Sequence, residues 1–195
     1  SDLLTVPCCQ KCNARFSKDD VYFRRMLCLE EAAWDHPEAR FAAQTEIRSW
    51  GRLEQRRFTQ ALLSTVEFVR PQTPAGIYIG PPRPAYTVNF ERLGRTVERI
   101  TRALHWHHFN ESISNDVSIG TFFEDGLARL PKDVEDKLQS IVTPLVASRS
   151  HSTSRGVLRY WFRTAQDNER ASAWLYDFYS TVKCLALVAP KQTGA

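Results

Sequence analysis

The sequence lacks long hydrophobic runs and the motifs of several common enzyme classes. No stretch approaches the roughly 18 consecutive apolar residues that a membrane helix needs, and the first residues lack the charged-then-apolar pattern of a secretory signal. No glycine-rich phosphate loop, serine-nucleophile elbow or metalloprotease helix motif is present. We therefore expect no membrane association and a cytoplasmic setting, and the kinase, serine hydrolase and zincin classes have no support.

Cysteine is scarce and unevenly placed. The 195 residues include 5 cysteines, of which Cys8, Cys9 and Cys12 cluster near the start, whereas Cys28 and Cys184 stand alone among apolar residues. An odd, clustered set is unlike a secreted disulfide framework, so the cluster indicates metal or redox use. The two isolated cysteines are expected to be small buried hydrophobic residues.

The composition is that of an ordinary globular chain. Hydrophobic residues make up 43% of the sequence, charged residues make up 25%, and the formal net charge is +4. These values predict one domain, with room for an appendage, and the charge is too small to require nucleic-acid binding. The first residue is Ser1 and the only methionine is Met26, which suggests that the chain begins at a cut.

Helical signals dominate the first hundred residues. Ser17 and Asp20 form a weak capping box, which predicts a helix from about Lys18 to Ala33. Pro37 in a first turn predicts a second helix, and a third is expected over 53–64. The clearest helix starts near Asn89, where apolar residues recur on one face. These residues are Phe90, Leu93, Val97, Ile100 and Leu104.

Short β-branched and aromatic runs predict strands in the remaining segments. "STVEFVRP" and "AGIYIGPP" are predicted to pair across "PQTPAG", with "PPRP" ending that sheet segment, and "NDVSIGTFFED" is predicted to be another strand. A helix is expected from Pro131, kinked or ended by Pro144, followed by a polar loop, "SRSHSTS". The aromatic runs on either side of "QDNER" predict a closing hairpin. The predicted fold class is α+β, with half a zinc knuckle, helices and a small, mostly antiparallel sheet.

Cys9 and Cys12 have the spacing of a metal knuckle. Two thiolates two residues apart can both face one zinc ion at Zn–S distances of about 2.3 Å, but a structural zinc site needs four ligands. A redox dithiol has the same spacing and requires a helix that begins at the first cysteine. Because the capping signal falls at Ser17, a knuckle before the helix is favoured, with redox chemistry or inert packing as the alternatives.

The stretch "VPCCQKCNARFSKDD" resembles the second zinc knuckle of bacterial HNH-type endonuclease domains, in the subgroup that reads Cys-x-x-Cys-Asn before a Ser-capped acidic helix. Cys9, Cys12 and Asn13 match that knuckle. The runs "RLGRTVERITRALHWHHF" and "SAWLYDFYSTV" are similar, more loosely, to the C-terminal extension of such proteins. The resemblance implies two parts, a knuckle half with its helix over 1–33 and an α+β extension of unknown role over 34–195.

The resemblance also implies chemistry for a longer parent protein. The first cysteine pair and a Glu-His element would precede Ser1, and a histidine there would activate water while Mg²⁺ or another divalent cation stabilises the scissile phosphate. Asn13 stands where many HNH domains carry the last histidine, a ligand of that metal, at the start of the motif's helix. The alternative for Asn13 is a turn residue that caps the knuckle.

Other residues carry weaker signals. Arg92, Arg95, Arg99 and Arg102 form a stripe on the long helix that suits DNA phosphates, or else a solvated face in which acidic residues interleave. His105 and His108 are one turn apart and suit either a metal or packing beside Trp106. The aromatic hairpin can stack bases or feed a core.

These observations lead to one main hypothesis and one alternative. The chain is expected to be the C-terminal portion of a bacterial HNH-type endonuclease-like protein, inactive alone, whose parent hydrolyses DNA with a divalent metal. The alternative is a non-catalytic binding or regulatory module in which zinc joins the N-terminus to the helices. The sequence leaves the oligomeric state open.

Overall fold

Helices fill most of the first half of the chain, and strands fill most of the second half. The structure is a computed structural model that describes residues 6–73, 75–124, 130–166, 168 and 170–191. In chain order the main elements are α1 (Gln10–Leu29), α2 (Pro37–Ser49), α3 (Arg56–Leu63), β1 (Glu67–Val69), β2 (Arg83–Ala85), α4 (Phe90–Phe109), β3 (Val117–Phe123), α5 (Lys132–Val146), β4 (His151–Ser152), β5 (Leu158–Thr164), β6 (Ser172–Phe178) and β7 (Val182–Pro190). The α+β prediction is confirmed.

Two compact units share these elements. One holds the described residues of 1–43 and 90–195, and the other holds those of 44–89. The first five residues of the predicted knuckle segment lie outside the described residues. Residue 33, where the two predicted parts meet, lies inside the larger unit, which also holds α1 and α4.

The larger unit is built on an antiparallel sheet with the strand order β3-β7-β6-β5-β4. The hairpin of β5 and β6 is confirmed, and β7 follows it through a second turn in which Tyr179 and Ser180 have positive φ. Within the predicted polar loop, His151 and Ser152 pair with β5 as a short edge strand. This short strand forms where His151 lies opposite Tyr160 and packs on its ring.

Both faces of this sheet are covered by helices. On one face, Leu138 and Leu145 of α5 pack against Leu175 and Leu185. The other face carries Trp174, which is fully buried, and α4 covers it. A sheet covered on both sides explains why β6 is buried at nearly every position rather than at alternate ones.

Helix α1 lies against α4. Phe23 of α1 meets Phe178 at the end of β6, with ring centroids 5.2 Å apart. Cys28 and Cys184 are each 1% exposed, which confirms the prediction that they are buried. Helix α4 itself spans the predicted periodic segment, with Leu93, Val97 and Leu104 buried.

The small sheet of the second unit pairs differently from the prediction. Its strands are β1 and β2, with Phe68 opposite Pro84, whereas the predicted partner segment around Tyr78 makes only an isolated bridge with Gln72. The prediction failed because "PPRP" was taken to end the sheet. Proline has no N–H to donate, yet it is tolerated on the outer side of an edge strand such as β2.

Candidate functional site

The N-terminus of α1 carries the predicted zinc ligands. The helix begins at Gln10, and Cys9 is its N-cap, with its Sγ accepting a hydrogen bond from the backbone N–H of Cys12 over 3.3 Å. The sulfur thus takes the place that a serine or aspartate oxygen usually occupies at a helix start. Cys12 and Asn13 consequently lie in the first helical turn.

The predicted start near Lys18 is wrong. Ser17 lies inside α1, where its hydroxyl donates to the carbonyl oxygen of Ala14 over 2.9 Å. Sequence rules favour Ser17 because cysteine is not among the common capping residues. The cysteine pair therefore lies at the start of α1 and not before it, so the position of the helix no longer favours a zinc knuckle over a redox dithiol.

Hydrogen bonding makes the two thiols unequal. The hydrogen bond with the Cys12 side chain, followed by that from the Cys12 backbone, lowers the pKa of Cys9. The same thiol pair interaction, followed by the negative charge on Cys9, raises the pKa of Cys12. Cys8, Cys9 and Cys12 are all exposed and free. Cys9 therefore loses its proton more readily than Cys12, at a helix end that favours negative charge.

This geometry suits zinc ligation and redox exchange alike. Both need a stabilised thiolate and a second sulfur one turn away. Across the ranges that the structure describes, no group of three or more His, Cys, Asp or Glu side chains is arranged to hold a metal ion. A four-coordinate zinc site built on Cys9 and Cys12 would need two further ligands from elsewhere.

Asn13 is exposed and sits beside a cavity of about 640 Å³. Its backbone N–H donates to the carbonyl oxygen of Cys9 over 3.0 Å, which is the first helical hydrogen bond of α1. Asn13 is thus a helix residue, and Cys9 supplies the cap. Phe16, Arg99 and Trp106 also line the cavity, which opens next to Cys8.

The arginine stripe on α4 faces two acidic residues of α1. Nε of Arg92 and Nε of Arg95 each lie 2.8 Å from a carboxylate oxygen of Asp19, and they bind different oxygens. Arg99 pairs with Asp20. These ion pairs hold α1 against α4, and we call the set of Asp19, Asp20, Arg92, Arg95 and Arg99 the clamp.

Other contacts engage the arginines further. Arg102 lies 2.9 Å from Glu98 on its own helix and donates to the carbonyl oxygen of Ile113 over 3.0 Å. The guanidinium groups of Arg92 and Arg99 stack over the rings of Tyr22 and Phe16, at 4.2 and 4.4 Å from the ring centroids. All four stripe residues therefore already have partners within this chain. That arrangement favours a structural role over phosphate binding.

Asp19 is the anionic centre of the clamp. Its side chain is 14% exposed. The hydrogen bond from Arg95, with a further one from Arg92, lowers the pKa of Asp19 to about 2, against the desolvation that raises it. Asp19 therefore stays ionised over the whole physiological range.

The end of α4 meets the sheet in a group of histidine and tyrosine rings. Nε2 of His108 lies 3.0 Å from Oη of Tyr160, and the ring of His151 stacks on Tyr160 with centroids 5.2 Å apart. His105 packs on Phe109 instead, at 4.7 Å between centroids. His105 and His108 thus both pack among aromatic rings, Phe109 and Trp174 among them, and burial lowers the pKa of both.

The aromatic hairpin feeds the core. Trp174 and Tyr176 are fully buried on the face that α4 covers, and Phe162 stacks on Trp174 with centroids 4.6 Å apart. Bases cannot reach these rings without unfolding. Trp161 lies on the other face of the sheet, because it pairs directly with Leu175, and residues directly opposite each other on neighbouring strands point to the same face.

Sequence reasoning missed the residues that complete these sites. Asp20 was considered only as part of a capping box and Asp19 was not singled out, because their arginine partners lie more than 70 positions away along the chain. His151 was given no partner. Asp177 could have been noticed, since an acidic residue inside the aromatic run "WLYDFY" predicts a buried charge with a specific partner.

No match was found when the chain was compared with known protein families, with curated proteins and with solved structures. None of the helices in the described part of the chain combines the length and the hydrophobicity that crossing a bilayer requires.

Proposed function

We propose that this chain is the C-terminal portion of an HNH-type endonuclease-like protein whose parent hydrolyses phosphodiester bonds in DNA. In this proposal Cys9 and Cys12 form half of a structural zinc site. Asn13 faces the catalytic divalent cation, and residues 34–195 are the α+β extension. The first cysteine pair and the catalytic histidine belong to the part of the parent that the resemblance places upstream.

The observation that carries the proposal is the hydrogen bond from the Cys12 backbone to the Cys9 sulfur. The two exposed sulfurs lie in one helical turn, and the hydrogen bond with the Cys12 side chain, followed by this backbone hydrogen bond, lowers the pKa of Cys9 and so favours the thiolate that zinc requires. Asn13 follows in the same turn, where its amide oxygen is a hard donor of the kind that Mg²⁺ prefers. The order thiolate, thiolate, amide at a helix start agrees with the motif that the sequence resembles.

Within the parent, each of these residues would have a distinct task. The divalent cation would supply charge stabilisation to the scissile phosphate and its leaving oxygen. Asn13 would orient its amide oxygen from the rigid first turn of α1, and Cys9 and Cys12 would fix that turn through zinc. The clamp then matters because it fixes the direction of α1 relative to α4.

Cobalt substitution tests the half site directly. Co²⁺ bound by thiolates gives charge-transfer absorption that reports sulfur ligation, so the reduced chain is titrated with Co²⁺ and then with Zn²⁺. We expect absorption that Cys9→Ser and Cys12→Ser each abolish. Cys8→Ser is the matched control, since Cys8 is an equally exposed neighbour. If Cys8→Ser alone removes the signal, the assigned ligand pair is wrong.

The upstream reading frame and a cleavage assay test the nuclease activity. We expect a second Cys-x-x-Cys and a Glu-His pair upstream, and metal-dependent DNA cleavage by the joined protein that Asn13→Ala reduces at least tenfold. Gln10→Ala, in the same exposed turn, is the control. An upstream frame that contains neither the Cys-x-x-Cys nor the Glu-His pair removes the basis of the proposal. DNA cleavage by the present chain alone would contradict the expectation that its active site is incomplete.

A second candidate function is a non-catalytic module in which zinc joins the N-terminus to the helix layer. The clamp favours it, because paired arginines stabilise packing rather than offer charge to DNA. The cobalt titration can identify one version of this module, in which two copies of the chain share a metal ion. One metal for every two chains would indicate that Cys9 and Cys12 of two copies complete a shared site.

A further inference from the structure

A separate cavity lies between α5 and the sheet, on the face opposite to α4. Its volume is about 520 Å³, and its lining includes Val142 and Val146 of α5 and Trp161, Leu175 and Leu185 of the strands. Asp177 of β6 also lines it. None of these residues belongs to the cysteine turn or to the clamp, so the cavity is independent of the function proposed above.

Asp177 is a buried carboxylate that is only half satisfied. Its side chain is 5% exposed, and Oδ2 accepts a hydrogen bond from Nη2 of Arg159 over 2.7 Å. Oδ1 is buried and has no hydrogen-bond partner in the part of the chain that the structure describes. A carboxylate oxygen can accept two hydrogen bonds, and leaving one buried and unmade is costly. Oδ1 is therefore a buried acceptor that lacks a donor among the described residues, and a ligand in the cavity reaches it only when the side chains around it shift.

The cations around the cavity are already engaged. Arg159 bonds to Asp177 and lies over the ring of Trp161, 5.2 Å from its centroid. Nζ of Lys183 lies 3.5 Å from Oε2 of Glu124 at the rim. The buried charge that lacks a donor is thus negative, which favours a ligand that brings a positive N–H group.

The rest of the cavity is apolar. Leu175 and Leu185 form its floor, Trp161 offers a half-buried ring, and Val146 stands 52% exposed at the mouth. Burial of a small hydrocarbon group against such surfaces is favourable in proportion to its apolar area. A pocket with apolar walls and one oriented polar group is the usual design of a small-molecule site.

We propose that this cavity binds a small organic cation that carries an ammonium group on an apolar or aromatic body. The ammonium donates a hydrogen bond to Oδ1 of Asp177, and the body lies between Trp161 and the leucine floor. Because Oδ2 is held by Arg159, only one carboxylate oxygen is available. That geometry suits a single ammonium donor better than a forked guanidinium, which needs two acceptor oxygens.

Titration of the full chain with benzylammonium tests the proposal, followed through the indole N–H resonance of Trp161 in two-dimensional NMR spectra. Trp161→Phe assigns that resonance. Benzyl alcohol, which has the same shape without the charge, and benzoate, which has the opposite charge, are titrated in parallel. We expect benzylammonium to bind with saturation and at least tenfold more tightly than either.

Two variants locate the binding. Asp177→Asn removes the charge, and Val146→Trp narrows the mouth without altering a buried position. Each is expected to weaken benzylammonium binding at least tenfold. Asp116→Asn is the matched control, because Asp116 is an exposed acid paired with Arg170 at the far end of β7, and it should leave binding unchanged.

The outcomes separate clearly. If Asp177→Asn does not fold, Val146→Trp still decides, since its substitution is at the surface. Equal binding of benzylammonium and benzoate, unchanged binding in Val146→Trp, or no saturation by benzylammonium would each overturn the proposal.

Discussion

Oγ1 of Thr101 and Oη of Tyr176 lie 2.8 Å apart where α4 meets β6, and both residues are fully buried. Thr101 also donates from the same oxygen to the carbonyl oxygen of Val97 over 2.9 Å. Since its proton is used there, Thr101 accepts the proton of Tyr176. This hydrogen bond ties the central helix to the sheet inside the core.

The direction of that hydrogen bond predicts unequal costs. Thr101→Val leaves the Tyr176 hydroxyl buried without an acceptor and should lower the free energy of unfolding by about 1–3 kcal/mol. Tyr176→Phe leaves Thr101 bonded to Val97 and should cost about 1 kcal/mol. Urea denaturation of both single variants and of the double variant measures the coupling. A double variant whose loss equals the sum of the two single losses would contradict the assigned pair.

The clamp predicts a stability contribution that is lost at low pH. The folded pKa of Asp19 is about 2, against an ordinary value of 3.8, so ionised Asp19 stabilises the fold above pH 4 and loses that effect as the pH falls towards 2. Asp19→Asn should therefore cost on the order of 1–2 kcal/mol at pH 7, after allowance for the partly exposed arginines. The gap between variant and wild type should close between pH 4 and pH 2 in chemical denaturation.

Asp20 supplies the control for that experiment. Its side chain is 50% exposed, and an exposed ion pair contributes about 0–1 kcal/mol. Asp20→Asn should therefore have the smaller effect at pH 7. The opposite ranking would show that Asp19 is not the centre of the clamp.

The histidines at the end of α4 predict a second pH effect of the same sign. Burial, with the nearby charges of His151, His107 and His105, lowers the pKa of His108. The neutral ring therefore stabilises the fold above about pH 6.5, and that stability is lost as the pH falls below this value. His108→Gln, which can still bond to Tyr160, should flatten the decline in melting temperature between pH 7 and pH 5. His107→Gln, at an exposed neighbouring position, removes only one of these charges and should flatten the decline less than His108→Gln does.

Close packing of α4 on β3 predicts that Gly94 cannot be enlarged. A methyl group at Gly94 would lie 2.5 Å from Oγ1 of Thr121. Alanine favours helices by about 1 kcal/mol over glycine, but overpacking costs about 1–3 kcal/mol, so Gly94→Ala should destabilise the protein or at best gain nothing. Thr121→Ala in the same chain should restore stability, because the next atom is 3.7 Å away. Gly51→Ala, with open space around it, is the control in thermal melts.

The sequence predicted the elements whose pattern is local. The apolar face of α4 and the aromatic β5-β6 hairpin follow from spacing within a single segment, and the structure has both. The start of α1 was missed because a sulfur serves as its cap. Strand β2 was missed because Pro84 lies within it. In each case a rule about typical residues failed at an atypical one.

The candidate sites were less predictable because their partners are distant. Asp19 and Arg95 are 76 positions apart, so no local pattern joins them. The order of the strands in the sheet is equally hard to predict from local patterns, since Val117 pairs with the distant Pro190. Only the cysteine pair and Asn13 could be recognised from their own segment, because the motif that identifies them is contiguous.

The position of β7 between β3 and β6 has a consequence during protein synthesis. When β3 leaves the ribosome, β7, its neighbour in the sheet, is still untranslated and begins more than 50 residues later. Long-range pairing of this kind slows folding. The nascent chain must therefore hold the apolar side of β3 against α4 until β7 arrives, and a stalled ribosome in that interval would expose an open strand edge to chaperones or to aggregation.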